Sequence, residues 1–439
     1  MWYKRRLGLK KVLVISYYWP PAGGSGVQRP LKFVKYLPEM GWEPIVYTPS
    51  NGEVPDKDLS LMKDVSPNLQ VITQPIFEPY TLYKLFTGKS LKEKINPNFF
   101  TQKKEGFKDK AAIWIRSNFF IPDARMWWIK PSITYLEKYI KENKIDAIIS
   151  TGPPHSMHLI ALGLKKKLNI PWLADFRDPW TNIDFFKELT LTSWAEKKHK
   201  SLEKEVLTTA DKVVCVGKTW GEELEVLCNR KVDIINNGFD PDDFDLKEAI
   251  PLDAKFSIVH LGMFSKGRNH EVFWKALAEL CAEDEAFKND LQLKFYGKLD
   301  VSAKEYMLKY HLEAQTEFFE YVPHNEIVKV QFSSRVLYLS VNNTPNVKGI
   351  MKGKIFEYLA VKRPILCIGL EEGDAAEVLK NTGVGLISGF EDLEKLKANV
   401  RILYQQYKKG EDQVSGAQIE QYSRKTQTAQ LAELLNNIQ

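Results

Sequence analysis

The chain has 439 residues, 44% of them hydrophobic, which is enough for two globular domains with ordinary cores. Its formal charge of +6 is too mild to call for nucleic acid, and no nucleic-acid-binding motif is visible; contact with anionic lipid or phosphate stays open. Cys215, Cys228, Cys281 and Cys367 form no C-x-x-C pair, a pattern that fits a reducing cytosol rather than a disulfide framework.

The opening "MWYKRRLGLKKVLVISYYWPP" imitates a signal peptide, but its apolar run is short, ends in Trp-Pro-Pro and meets no small-residue cleavage site. With no apolar run of about eighteen residues, no membrane span is expected. "KVLVISYY" predicts a strand and "VQRPLKFVKYLPEMG" a helix. Gly23, Gly24 and Gly26 lie at the corner between them. Such a corner is either a tight turn only or a loop whose backbone N–H groups and helix N-terminus face an anion. The dinucleotide fingerprint fails there twice. Arg29 stands where the third glycine belongs, and "YTPS" offers no acidic ribose partner about twenty residues on. No Gly-Lys-Ser/Thr follows, so the loop is not a Walker loop either.

Further strands are expected in "PIVYT", "LQVIT", "IDAIIS", "IPWLADF", "DKVVCV" and "VDIIN". Helices such as "SMHLIALGLKKKL" and "SWAEKKHKSLEKEVLTTA" lie between several of them. Several strand runs are apolar without alternation, as in parallel strands covered on both faces. Residues 81–130 interrupt this pattern and are rich in Lys, Phe and Trp. A basic aromatic insertion suits an anionic membrane surface. Aromatics capping the core beneath solvated lysines would give the same composition. "NNGFDPDDFDLKEAIPLDAK" is polar, acidic and broken by Pro and Gly, and reads as a linker. Its Asp-x-Asp spacing over residues 240–245 reads there as solvated acid, and zinc spacing is missing, so no catalytic metal is expected.

The pattern then restarts with "FSIVHLG", "LQLKFYG", "TEFFEYV", "RVLYLSV", "RPILCIG" and "GVGLIS", and "GAQIEQYSRKTQTAQLAELLNNIQ" predicts a final amphipathic helix. The expected class is α/β, with two doubly wound, Rossmann-like parallel-sheet domains facing across a cleft. Residues 1–238 form the first, with the insertion at about 81–130; 239–254 form the linker, 255–410 the second domain and 411–439 the C-terminal helix. Ligands of such sheets bind outside the carboxyl ends of the strands.

Six segments, "VLVISYYWPPAGGSGVQR", "STGPPHSMHL", "PWLADFRDPW", "ADKVVCVG", "INNGFD" and "KGKIFEYLA", occur in that order. Together they resemble the family 4 glycosyltransferases of the GT-B fold, in the retaining branch that builds bacterial surface polysaccharides. The resemblance covers most of the chain and is faint only over residues 50–110. It implies a nucleotide-sugar donor, a UDP- or GDP-sugar, held mostly by the second domain. The glycine loop, Gly23, Gly24 and Gly26, would face the donor diphosphate from across the cleft, where a Cβ would hold the backbone off.

The same resemblance places Glu357 of "KIFEYLA" on the ribose hydroxyls, a vicinal diol for which a carboxylate offers two acceptors. Lys354, one helical turn earlier, would reach the diphosphate. The family's second glutamate, eight positions before Glu357, is Gly349 here; this departure leaves the sugar's identity open. In "HLGMFSKGRNHE", Met263 replaces the family's arginine, while Lys266 and Arg268 remain as cations and Arg268 stands at the spacing of the usual lysine. A guanidinium there would stabilise the charge that grows on the departing diphosphate. In "ADFRDPW", Asp175, Arg177 and Asp178 cluster where other family members carry a histidine near the reaction centre, and His155 precedes a helix start; His155, Arg177 and Asp178 are the expected acceptor-side residues. His158 is expected to pack, and Asp178 before Pro179 reads equally as a turn residue.

The implied function is transfer of a hexosyl group to a glycan or lipid-linked oligosaccharide acceptor, by a cytoplasmic protein in peripheral contact with the anionic inner face of the plasma membrane. No cofactor beyond the donor, no metal and no nucleic acid are expected. The alternatives are a nucleotide-sugar epimerase or hydrolase of the same fold, and a degenerate, non-catalytic scaffold.

Overall fold

The computed structural model describes residues 8–54, 57–78, 107–183, 186, 189–246, 248–320, 322, 324–411 and 413–438. Residues 81–106 of the basic aromatic insertion therefore lie outside the described residues. The chain forms two compact units, residues 1–236 with 424–439, and residues 237–423.

The first unit is built on a seven-stranded parallel sheet: β1 Lys10–Ile15, β2 Trp42–Pro49, β3 Gln70–Gln74, β4 Ala147–Gly152, β5 Trp172–Phe176, β6 Lys212–Cys215 and β7 Asp233–Ile234. Every residue of β4 and β5 is buried, because helices cover both faces of the sheet; this is why these runs carry no polar alternation. The strand order is β3-β2-β1-β4-β5-β6-β7, so it reverses between β1 and β4.

The second unit repeats the plan with β8 Phe256–Leu261, β9 Leu291–Tyr296, β10 Thr316–Phe319, β11 Val336–Ser340, β12 Ile365–Ile368 and β13 Gly385–Ser388. Its order, β10-β9-β8-β11-β12-β13, reverses between β8 and β11. Its core is aromatic, with Phe273 stacked on Tyr338 at 4.2 Å and Trp274 on Phe295 at 5.5 Å. In each sheet the reversal sends the two flanking connections to opposite faces and leaves a crevice at the strands' carboxyl ends.

Two elements differ from expectation. The insertion's expected end at about residue 130 falls inside a helix: after the helix Phe107–Phe119, the helix Met126–Asn143 runs through it and packs on the helix Ser156–Leu168. The final amphipathic segment is not one helix either. It holds a short 3-10 turn, Ile419–Tyr422, and then the helix Arg424–Asn436, which belongs to the first unit. Leu431, Ala432 and Leu435 join Val27, Leu31 and Val34 in that unit's core. Burying this apolar face against the helix Ser25–Tyr36 is what fixes the helix Arg424–Asn436 there.

Candidate functional site

In the first unit, β1 runs into Gly23, Gly24 and Gly26 and then the helix Ser25–Tyr36. Gly23 is buried, whereas Gly24 is exposed with φ 94°, a backbone that only glycine adopts readily. Gly24 is the N-cap, no side chain caps this helix start, and its first turn carries no acidic residue. The positive end of the helix dipole is thus left without a carboxylate of its own helix. At Gly26, a Cβ would lie 2.8 Å from Nη1 of Arg177 and 3.0 Å from the Tyr18 ring. A side chain at position 26 would displace the Arg177 guanidinium that packs against the backbone there.

Arg177 follows β5; its Nε donates to Asp178 Oδ2 at 3.1 Å and its Nη2 to the Pro153 carbonyl at 3.3 Å. Pro153 follows β4 and leads to His155, the N-cap of the helix Ser156–Leu168. Glycine loop, His155 turn and Arg177–Asp178 turn therefore meet at the carboxyl ends of β1, β4 and β5, beside the order reversal. His155 is 8% exposed and stacks flat on Trp180, with ring centroids 4.6 Å apart at 3°. Burial first, and then the neighbouring His158, Arg177 and His199, hold its imidazole well below the ordinary histidine range. His155 at neutral pH is an uncharged hydrogen-bonding group, not a poised acid. His158 stacks on Phe176 at 4.5 Å, its Nδ1 lies 2.8 Å from Ser150 Oγ, and burial pushes it down to about 3. It packs, as expected.

Several residues at this edge carried no readable signal. Asp123, at the insertion's end, accepts from the Ser156 backbone N–H at 2.9 Å and from Ser156 Oγ at 2.8 Å. It is the carboxylate cap of the helix that begins at His155. Arg125, two residues on, pairs with Glu78 at 3.0 Å and lies 4.4 Å over the Tyr17 ring. Gly152 ends β4 with no room for a Cβ, which would lie 2.6 Å from His158 Nε2 and 3.1 Å from His155 Nδ1. Asp123 and Arg125 act through partners distant in sequence, Ser156 and Glu78. Only Gly152, inside "STGPP", stands in a conspicuous motif.

In the second unit, Arg268 lies in the short 3-10 turn Lys266–Arg268 after β8. Its Nε donates to Asn342 Oδ1 and its Nη1 to the Met263 carbonyl, both at 2.8 Å. Asn342 follows β11, so the guanidinium bridges the second order reversal. Met263 contributes its carbonyl, while its side chain is exposed. Lys266 is exposed on the same turn. On the helix Gly353–Val361, Lys354 Nζ lies 2.8 Å from Glu357 Oε2, which also accepts from Gln331 Nε2 at 3.2 Å. The charges of Arg268 and Lys354 both reach His260, whose pKa is drawn down to about 4 by burial first and by these cations as well. A Cβ at Gly262, just after β8, would lie 3.8 Å from Lys354 Cε, so Lys354, with Glu357 beside it, and the Arg268 turn stand at the carboxyl end of the same strand. Gly349, the departure from the expected glutamate, is buried in the turn Val347–Gly349.

Residues 28–243 match the family model described as Glycosyltransferase Family 4, and residues 242–425 match Glycosyl transferases group 1. No curated protein sequence matches the chain. Among solved structures, HepE from Anabaena in complex with UDP-glucose is similar at 12% identity and a TM-score of 0.57, over 97% of this chain and 99% of that one. WaaG, a glycosyltransferase involved in lipopolysaccharide biosynthesis, is similar at 12% identity and a TM-score of 0.51, over 98% and 95%. A UDP-N-acetylglucosamine 2-epimerase described for Listeria monocytogenes is similar at 12% identity and a TM-score of 0.54, over 98% and 96%. At these identities the likeness is one of fold.

Proposed function

The chain belongs to the GT-B glycosyltransferases, a family 4 domain followed by a group 1 domain, and on that premise we propose that it moves a hexosyl group from a UDP- or GDP-sugar to a glycan or lipid-linked acceptor in surface-polysaccharide synthesis, with retention of configuration. The observation that carries this reading is Arg268, fixed at two of its nitrogens across the strand-order reversal with Lys354 at the same carboxyl end of β8. Two cations converging at the carboxyl ends of parallel strands suit a nucleoside diphosphate. UDP-glucose in the Anabaena structure and lipopolysaccharide biosynthesis in WaaG are in keeping with it.

In this reading the bond from the anomeric carbon to the β-phosphate oxygen breaks, and the acceptor oxygen bonds to that carbon on the same face. The acceptor proton passes to the departing phosphate oxygen, and Arg268 and Lys354 stabilise the charge growing there. Glu357, its Oε2 oriented by Lys354 and Gln331, takes the ribose diol. In the first unit, His155 offers an uncharged hydrogen bond to a sugar hydroxyl, while Arg177, Asp178 and the glycine loop line the acceptor side. The family 4 domain makes peripheral contact with an anionic membrane on the cytoplasmic side. The exposed aromatics Phe77, Trp114, Phe119, Trp127 and Trp194 all lie in this domain, with exposed Lys110, Lys130, Lys197 and Lys198 on the same elements or beside them. Among the described residues no helix is long and apolar enough to cross a membrane.

The test is a thermal-shift panel of UDP-, GDP- and dTDP-sugars, followed by product analysis with and without lipid-linked acceptors. A donor at a hundred times its dissociation constant adds about 2.7 kcal/mol of stability, an easily seen shift. Complete donor conversion without acceptor would replace transfer by epimerisation or hydrolysis. Binding without turnover on any acceptor would leave a scaffold.

A further inference from the structure

Arg29 replaces the third glycine of a dinucleotide fingerprint, and the reason lies beneath the loop. Its guanidinium is fully buried, as is Asp175. Nε donates to both Asp175 oxygens at 3.0 Å, and Nη2 donates to Oδ1 at 2.8 Å. Nη1 donates to the carbonyl of Asn236, the last residue of the first unit's main span, at 2.9 Å. Thr151 Oγ1, at the end of β4, donates to Asp175 Oδ2 at 3.0 Å. A buried pair of this kind is weak evidence for stability, because an apolar pair of equal volume does as well or better. Its geometry, however, is specific. Arg29 stands one helical turn after Gly26, and Asp175, near the end of β5, stands two residues before Arg177 in the turn that follows.

The same two elements are therefore joined twice. The Arg29–Asp175 pair forms one rung in the core, and Arg177 packed on Gly26 forms a second at the surface. We propose that Arg29 and Asp175 are positioning residues, whose fork sets the Arg177 guanidinium against the glycine loop and so shapes the anion-facing edge of the first unit. The inference rests on the glycosyl-transfer reading for its kinetic consequence but not for its structural one. A fork fixes both distance and rotation between helix and strand, which an apolar contact does not. The pair sits too deep to meet a substrate and acts only through Arg177 and the loop.

The experiment uses the full chain with two variants: the paired substitution Arg29→Met with Asp175→Leu, and the single substitution Arg29→Lys. Amide hydrogen exchange, thermal unfolding and steady-state kinetics are measured on each. The paired variant is expected to unfold at or above the wild-type temperature, while exchange in residues 23–27 rises at least tenfold and the rest of the unit is unchanged. Arg29→Lys is expected to show the same local effect more weakly. Removing Arg177, by Arg177→Ala, should lower kcat/KM tenfold or more in the wild type but less than threefold in the paired background, since its position is already lost there. Native exchange in residues 23–27 of a folded paired variant overturns the proposal, as does a full additive loss on adding Arg177→Ala. Should the paired variant fail to fold, Arg29→Lys decides: faster exchange confined to residues 23–27 supports positioning, whereas unchanged or uniformly faster exchange overturns it. Selective exchange in a chain that transfers no sugar leaves the positioning intact and overturns only the functional reading.

Discussion

Arg268 spends its Nε on Asn342 and its Nη1 on the Met263 carbonyl, so its guanidinium is held in place rather than swept through solvent. A fixed cation gains most where charge appears during the reaction. Arg268→Ala is therefore expected to lower kcat by roughly 10²–10³, well beyond its effect on the donor Michaelis constant. Arg268→Lys should rescue it in part, restoring charge without the fork. Steady-state kinetics on the three proteins check this, and a change in the donor Michaelis constant alone would make Arg268 a binding residue only. His158 makes a second prediction at this scale. Its folded pKa is pushed down to about 3, while in the unfolded chain it titrates near 6.5. Below that pH the unfolded state takes up a proton that the folded state refuses. The stability contribution is thus complete above about pH 6.5 and drains as pH falls toward about 3, by up to about 1.4 kcal/mol per pH unit. Urea unfolding of wild type and His158→Gln between pH 7.5 and 5 should show a shallower loss for the variant; equal slopes would refute the assignment.

Helices are held where their apolar faces find cover, and the helix Arg424–Asn436 shows how far in sequence that cover can lie. Leu431 is fully buried, with Ala432 and Leu435 beside it, in a core whose other buried members all lie before residue 236. Leu431→Ala is expected to destabilise the first unit by about 2–5 kcal/mol, the range for a buried leucine. Hydrogen exchange should speed up along residues 27–36, in the partner helix, while the second unit keeps its native protection. Equal loss of protection in both units would show that the helix serves the molecule generally. The aromatics of the helices Phe107–Phe119 and Met126–Asn143 follow the opposite logic. Trp128 is buried and stacks on Tyr47 at 4.8 Å, whereas its neighbour Trp127 is exposed and meets Phe77 and Phe120 at 5.3 and 5.0 Å. One side of the helix Met126–Asn143 thus caps the core, and the other presents rings to the surface.

For the whole molecule, a charge of +6 with the exposed aromatics among the described residues gathered on the first unit predicts an electrostatically assisted surface contact. Flotation with anionic liposomes should recover the protein at low salt and lose it as the screening length falls to about 10 Å at 0.1 M. Absence of binding at low salt, or binding indifferent to salt, would remove membrane contact from the functional reading. The sequence by itself determined the two-sheet α/β architecture. Each of the thirteen strands among the described residues overlaps a run read as a strand in the sequence, although β1 to β4 extend beyond theirs; strands covered on both faces must be apolar whatever surrounds them. The turns that hold Gly24, Gly26, His155 and Arg177 were legible because strand ends mark themselves with glycine, proline and isolated charge, whereas Arg268, Lys354 and Glu357 were singled out by the family resemblance. Tertiary structure alone decided that Asp123 caps the helix at His155, that Arg29 belongs to Asp175, and that the last helix returns to the first unit. Those partners lie 33, 146 and several hundred residues apart, and a hydrogen bond or a buried face is satisfied by proximity in space, for which local periodicity carries no signal.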